Sequence, residues 1–311
     1  PFSFEKDQYY MGRMDAVLVQ ERIPNSVELS EAMKFLGSDD VRTKVKMASG
    51  EMMDFLPSRD FHITVNKQKV LETGTVKPQD SLLIADRVEF RIDKSYITKS
   101  EMAVLNMVAA NNWERPIYID HSLIYVGSIF FKDWLQFEGL AYRLVPIKTP
   151  QQAGFYGRID SGILYENVMK KFVWGNVNDP DVFLDDYNKR SVLILQARYM
   201  YARLAEALNR EGKHEKATEV LDKLFEIFPD EKIPLSYDSF PAVEQYYRAS
   251  ETEKGNNLVK ILAKNSFEMI DYYISLPGHI APAVSELQSR EMGMLQNLVF
   301  ITRQYQQTEL N

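Results

Sequence analysis

Hydrophobic and polar positions change their rhythm halfway along the chain. In the first half the rhythm is short and mixed. Phe61, Ile63 and Val65 alternate with polar residues, the two-residue period of a half-buried strand. Val88, Phe90 and Ile92 repeat the pattern, with Glu89, Arg91 and Asp93 on the opposite face. Between them, Asn66 to Asp86 contains Gly74 and Pro78 and reads as a turn-rich excursion. Ser26 to Phe35 predicts a short helix stopped by Gly37. Thr98 and Glu101 have the spacing of a capping box, and the helix they open should run to about Asn111 with Met102, Leu105 and Val108 buried. Pro116 ends that segment. Ile117 to Ile119 predicts a short strand, and Leu140, Tyr142 and Leu144 alternate before Pro146.

From Val192 onward the period becomes helical. Tyr201, Leu204, Ala205 and Leu208 share one face, and Gly212 breaks the helix. Ala217, Val220, Leu221, Leu224, Phe225 and Phe228 then form an amphipathic stripe that Pro229 stops. Small residues at Ala205 and Ala217, with Gly212 and Pro229 as breakers, match a tetratricopeptide-like hairpin. A degenerate second copy places Val243, Tyr246, Gly255, Val259 and Leu262 in the matching slots. Its Gly255 falls about four residues later than the roughly 34-residue period would put it. A final helix from about Val284 to Tyr305 should turn Leu287, Met294, Leu298 and Ile301 inward. The pattern therefore predicts an α+β chain: a mixed α/β domain over residues 1–165, then an all-α TPR-like domain over 166–311. The Thr149 to Ser161 stretch reads as a surface loop or linker.

Composition narrows the function classes. A formal net charge of −7 argues against a nucleic-acid partner, which calls for a basic stripe. With Cys 0 there is no disulfide framework and no thiolate chemistry. No apolar run approaches the roughly 20 residues of a membrane span. The chain opens on Pro1 without an initiator methionine, so a fragment or processed product is expected, with any targeting or membrane segment upstream.

Candidate chemistry is sparse. GxGxxG, P-loop and GxSxG patterns are absent. His214-Glu215 begins like a zinc-binding HExxH, but Thr218 stands where the second histidine belongs. His62, His121, His214 and His279 are scattered, His62 on the polar face of its strand, so no metal site and no cofactor is predicted. Three neighbourhoods remain as binding candidates. Asp39 and Asp40, with Arg42 close behind, form a paired carboxylate that could hold a cation or do acid–base work, or could simply cap a turn. Trp113 and Arg115 sit in a loop where an indole and a guanidinium could stack on a sugar or hold an anion, or anchor the loop to the core. Tyr142 and Arg143 could line a cleft, although strand alternation accounts for the apolar positions around them. The aromatic run Tyr125 to Phe137 reads as core or domain interface.

Four segments carry a resemblance. Ser38 to Lys44 (SDDVRTK), Asn111 to Tyr118 (NNWERPIY), Glu138 to Lys148 (EGLAYRLVPIK) and Phe172 to Pro180 (FVWGNVNDP) occur in order, followed by the repeat helices from Leu204 to Pro229. Together they resemble the soluble C-terminal region of bacterial transmembrane protein O-mannosyltransferase-like proteins, a family long described only as a domain of unknown function. The resemblance implies a multi-span GT-C-type glycosyltransferase parent that uses a polyprenyl-phosphate sugar donor. The catalytic acid of such enzymes lies in the membrane region, so no catalytic residue carries over to this chain. The implied role is a non-catalytic accessory region on the periplasmic side of the bacterial inner membrane. Its partners would be the upstream transmembrane region and a polypeptide acceptor or partner protein. Two other readings stand beside it. One is a stand-alone periplasmic TPR-like scaffold. The other is a self-contained enzyme, which requires the Asp39/Asp40 and Trp113/Arg115 segments to converge in one cleft.

Overall fold

A computed structural model describes residues 16–120, 130–149, 156–185, 187 and 192–310. The chain divides into two compact units, Pro1–Arg158 and Ile159–Asn311. Strands occur in the first and the second is mostly helical, an α+β protein. The division falls ahead of helix Ser161–Glu166, which packs on a later helix of the second unit. The predicted linker at Thr149 to Ser161 lies partly outside the described residues.

Among the described residues the first unit holds three small sheets. In the first, β1 (Ala16–Val19) pairs parallel with β4 (Met52–Leu56) and antiparallel with β7 (Tyr96–Thr98), while β3 (Lys44–Lys46) extends the β4 side. In the second, β5 (Asp60–Thr64) lies between β2 (Val27–Glu28) and β6 (Arg87–Arg91). The alternation read in sequence fixes its register: Phe61 faces Phe90 and Ile63 faces Val88. The two rings stack at 5.7 Å, and Phe131 meets Phe90 edge-on at 4.6 Å. Burying each such side chain contributes roughly 1.5–3 kcal/mol. In the third sheet, β10 (Ala141–Leu144) lies between β8 (Tyr118–Asp120) and β9 (Leu135–Phe137).

Helix α1 (Leu29–Leu36) starts later than predicted because Val27 and Glu28 are committed to β2. The Asn66 to Asp86 excursion is more regular than predicted. The Asn66 side chain accepts a hydrogen bond from Lys69 N at 3.1 Å and caps helix α2 (Lys67–Glu72), and Pro78 opens a 3-10 turn through Leu83. His62 is buried, not solvated, and the neighbouring strand β2 and the residue before it place Glu28 and Ser26 beside its ring. Its Nδ1 lies 2.8 Å from Ser26 Oγ and its Nε2 3.6 Å from Glu28. Helix α3 (Lys99–Asn111) has the full capping box and buries Met102, Leu105 and Val108 as expected.

The second unit opens with α4 (Ser161–Glu166), which continues as a π-turn over Asn167–Lys171. Two helical hairpins follow: α5 (Val192–Arg210) with α6 (His214–Ile227), and α7 (Phe240–Arg248) with α8 (Thr252–Ser275). Helix α9 (Ala281–Gln304) packs on α8. Ala205 and Ala217 are fully buried where α5 and α6 meet. Gly255 does the same for the second hairpin: a Cβ there would stand 2.5 Å from the Tyr247 ring. On α9, Met294, Leu298 and Ile301 are buried, whereas Leu287 is more than a third exposed, outside the buried stripe of that helix.

The linker between the hairpins explains the late Gly255. Arg198 on α5 is buried and reaches into it. Its guanidinium donates to the carbonyls of Ile233 (2.6 Å) and Pro234 (3.3 Å) and pairs with Asp238 at 2.9 Å. Asp230 accepts from Leu235 N (2.8 Å) and from Asn265 Nδ2 (2.7 Å). The extra chain between hairpins is thereby a fixed spacer, held from one side by Arg198 of α5 and from the other by Asn265 of α8.

Candidate functional site

Asp39, Asp40 and Arg42 stay together but stay local. Asp40 caps the 3-10 turn Val41–Thr43, accepting from Arg42 N at 2.9 Å and from its guanidinium at 2.5 to 3.1 Å. The Arg42 guanidinium, and after it the Arg42 backbone N–H, hold the Asp40 carboxyl below its usual range. Asp39 and Arg42 are exposed. The bonds of the Asp40–Arg42 pair stay within a turn that leads into β3, in the first sheet. It is a turn cap, and no group of three or more potential metal ligands occurs among the described residues.

The other two neighbourhoods converge on the third sheet. Trp113 follows the left-handed C-cap Asn112 and itself has φ +60°, which turns its side chain back into the core. The indole is buried and Nε1 donates to Thr64 O at 2.9 Å. Trp134 does likewise toward Glu89 O at 2.8 Å. Two indoles thus join the third sheet and its flanking loops to the second. Trp113 is an anchor, not a stacking platform for a ligand. Tyr142 is also fully buried, its ring 5.0 Å from that of Phe137.

Arg143 and Arg115 are placed differently. Strand register puts Tyr118, Arg143 and Gln136 side by side across β8, β10 and β9, so their side chains share one face. Glu138, two residues beyond Gln136, joins them. Tyr118 Oη donates to Glu138 Oε2 at 2.9 Å, and Gln136 Nε2 donates to Oε1 at 2.8 Å. Arg143 Nε lies 3.6 Å from Glu138 Oε1, its Nη1 donates to Gly74 O at 2.9 Å, and its guanidinium sits 5.2 Å from the Tyr118 ring centre. Burial, then the charge and hydrogen bond of Glu138, push the Tyr118 hydroxyl above its usual pKa. Glu138 and Gln136 are buried and Tyr118 is 49% exposed, so Tyr118 is the outer member of a buried polar network. Tyr118 and Glu138 were not singled out in the sequence; the pairing that sets Tyr118 and Gln136 on either side of Arg143 was the missing information.

Beside this network runs an open groove of roughly 660 Å³ between the C-terminal half of α3 and β8. Its apolar lining includes Val104, Met107, Ile117 and Ile119, and Asn111, Glu114 and Arg115 lie along it. Glu114 is neutralised by Lys69 at 2.8 Å. Arg115 is exposed. The groove is apolar with one cationic side chain, suited to holding a ligand by shape and one charge. Among the described residues that line it there is no activated nucleophile, proton-transfer pair or metal set. The Asp40–Arg42 turn contributes nothing to its lining.

The family model described as TMEM260-associated domain 2 matches residues 1–163, the whole of the first unit and more than half of the chain. No curated protein and no solved structure matches.

Proposed function

The chain belongs to the TMEM260-associated domain 2 family, linked to a protein O-mannosyltransferase-like protein and thus to glycosyl transfer; on that premise we propose that it is the non-catalytic accessory region of a membrane glycosyltransferase. In this reading the parent takes sugar from a polyprenyl-phosphate donor, and this region faces the periplasm of a bacterium and holds the polypeptide acceptor or a partner protein. The observation that carries it is the matched family, whose model covers the unit that contains the groove. The character of the groove supports a binding role, since its lining offers shape and charge without reactive groups. None of the helices among the described residues is long and apolar enough to cross a membrane. In the proposal the membrane region belongs to a longer protein.

The helical hairpins support a second element of the reading. Their buried small residues and repeated pairing are compatible with a TPR-like array, a form that presents concave binding surfaces. The alternative is a stand-alone periplasmic scaffold built on those hairpins.

A transfer assay tests the main reading. The isolated chain should release no sugar from a polyprenyl-phosphate-linked mannose donor, with or without a polypeptide acceptor. The full-length parent should transfer it, and deleting this region should raise KM for the acceptor at least tenfold. Turnover by the isolated chain, or an unchanged KM after deletion, would overturn the proposal.

A further inference from the structure

The open edge of β8 carries more information than the groove alone. Carried one residue beyond β8, the β8–β10 register sets Ile117 opposite Leu144, and Leu144 N donates to Ile117 O at 2.9 Å. In an antiparallel ladder such pairs alternate, so Ile117 and Ile119 direct their main-chain groups at β10. Tyr118, between them, turns its N–H and C=O the other way, along the outer edge of the sheet, where β8 is the terminal strand among the described residues. An outward donor and acceptor on one residue are the two groups that a residue of an added antiparallel strand exchanges.

The groove lies along that same stretch. Val104 and Met107 on α3 line it with Ile117 and Ile119, and Met107 is 61% exposed. An extended chain directs alternate side chains to opposite faces, so every second residue of an added strand would enter the apolar lining. The charges select further. With Glu114 held by Lys69, the charge the groove offers an incoming chain is that of Arg115.

We propose that the β8 edge and the α3 groove bind an extended polypeptide segment by strand addition, apolar at alternate positions and carrying a carboxylate opposite Arg115. The proposal rests on the binding-region reading above and names its ligand class and its mode. Main-chain hydrogen bonds supply affinity, and the groove and Arg115 supply selectivity.

The probe is an array of acetylated, amidated seven-residue peptides that alternate threonine with valine, isoleucine, leucine or phenylalanine, with aspartate or lysine at the centre. It is offered to the full chain. Aspartate peptides should be retained at least fivefold better than their lysine counterparts, and Arg115→Glu should reverse that order. N-methylation of one alternating set of peptide amides should cut binding at least tenfold while the other set is tolerated, a result that depends on no variant folding. Retention of no peptide, or equal loss from both N-methyl sets, would overturn the proposal. So would a dimer in sedimentation equilibrium that Met107→Glu dissociates, since a second copy would then fill the groove. The two readings fail separately. If peptides bind as expected but Arg115→Glu in the full-length parent leaves KM for the acceptor unchanged, the strand-addition site stands and its acceptor role falls. If deletion of the region raises KM but no peptide is retained, the accessory reading stands and strand addition falls.

Discussion

Replacing Arg198 by methionine removes the side chain that organises the linker between the two helical hairpins. Arg198 and Asp238 are 2% and 5% exposed, so water contributes little to either charge. With Arg198→Met the apolar stem is largely conserved. Asp238 keeps the Ser236 hydroxyl at 2.7 Å but loses its counter-charge, and the carbonyls of Ile233 and Pro234 lose their guanidinium donor. Breaking a buried pair from one side costs about 3–5 kcal/mol, because the remaining charge stays buried. For a unit of this size each kcal/mol lowers the melting temperature by about 2–4 °C, so a fall of roughly 6–20 °C is expected in the transition of the helical unit. Asp238→Asn should cost a similar amount from the other side. Combining the two should cost less than their sum, by about 1 kcal/mol or more, since the second change no longer strands a charge. Calorimetry and urea titration of the full chain measure all four proteins. Single changes below about 1 kcal/mol, or a double change additive within about 0.5 kcal/mol, would refute the view that this pair fixes the spacer.

Three further outcomes follow from the geometry. Gly255→Ala should destabilise by about 1–3 kcal/mol through overpacking against Tyr247, whereas Gly278→Ala, which meets nothing within 4 Å, should not clash; denaturant midpoints compare them. Trp113→Phe keeps most of the buried ring but removes the donor to Thr64 O, a loss of about 1–3 kcal/mol for a buried carbonyl left unmatched. Glu101 is a pH probe. Burial alone would raise its pKa, but the Lys94 ammonium and the Thr98 backbone N–H and hydroxyl together outweigh burial and hold it below the usual value. Its folded pKa is thus depressed, so its contribution is complete above the unfolded carboxylate pKa and lost as pH falls through the lower folded one. Between neutral and acid pH the Glu101→Gln chain should lose less stability than the unaltered chain, read from urea midpoints; equal losses would contradict this.

How much was legible in the sequence varied with the range of the interaction. The capping box at Thr98 and Glu101, the stripe from Ala217 to Phe228 and the strand alternation at Phe61 and Phe90 are local patterns, and the structure contains them. Leu29 as the start of α1 was not legible, because the pairing of Val27 with Phe61 overrides the helical preference of the preceding residues. His62 was misread for a related reason: the pairing of β2 brings Ser26 and Glu28 to a ring that alternation alone marks as solvated. At the candidate site, residue type drew attention to Trp113, Tyr142 and Arg143, but only the fold shows that Trp113 and Tyr142 are core, and only the register of β8, β10 and β9 sets Arg143 beside Tyr118 and Gln136 and so with Glu138. Arg198 gave no signal at all. An arginine on a helix reads as surface until the linker carbonyls it holds are brought to it by the fold.

The most direct measurement is cell fractionation of the native source, probed with an antibody raised against this chain of 36.1 kDa. The accessory-region account predicts a band in the membrane fraction at a mass well above that of the chain. A band near 36.1 kDa in the soluble fraction would contradict it.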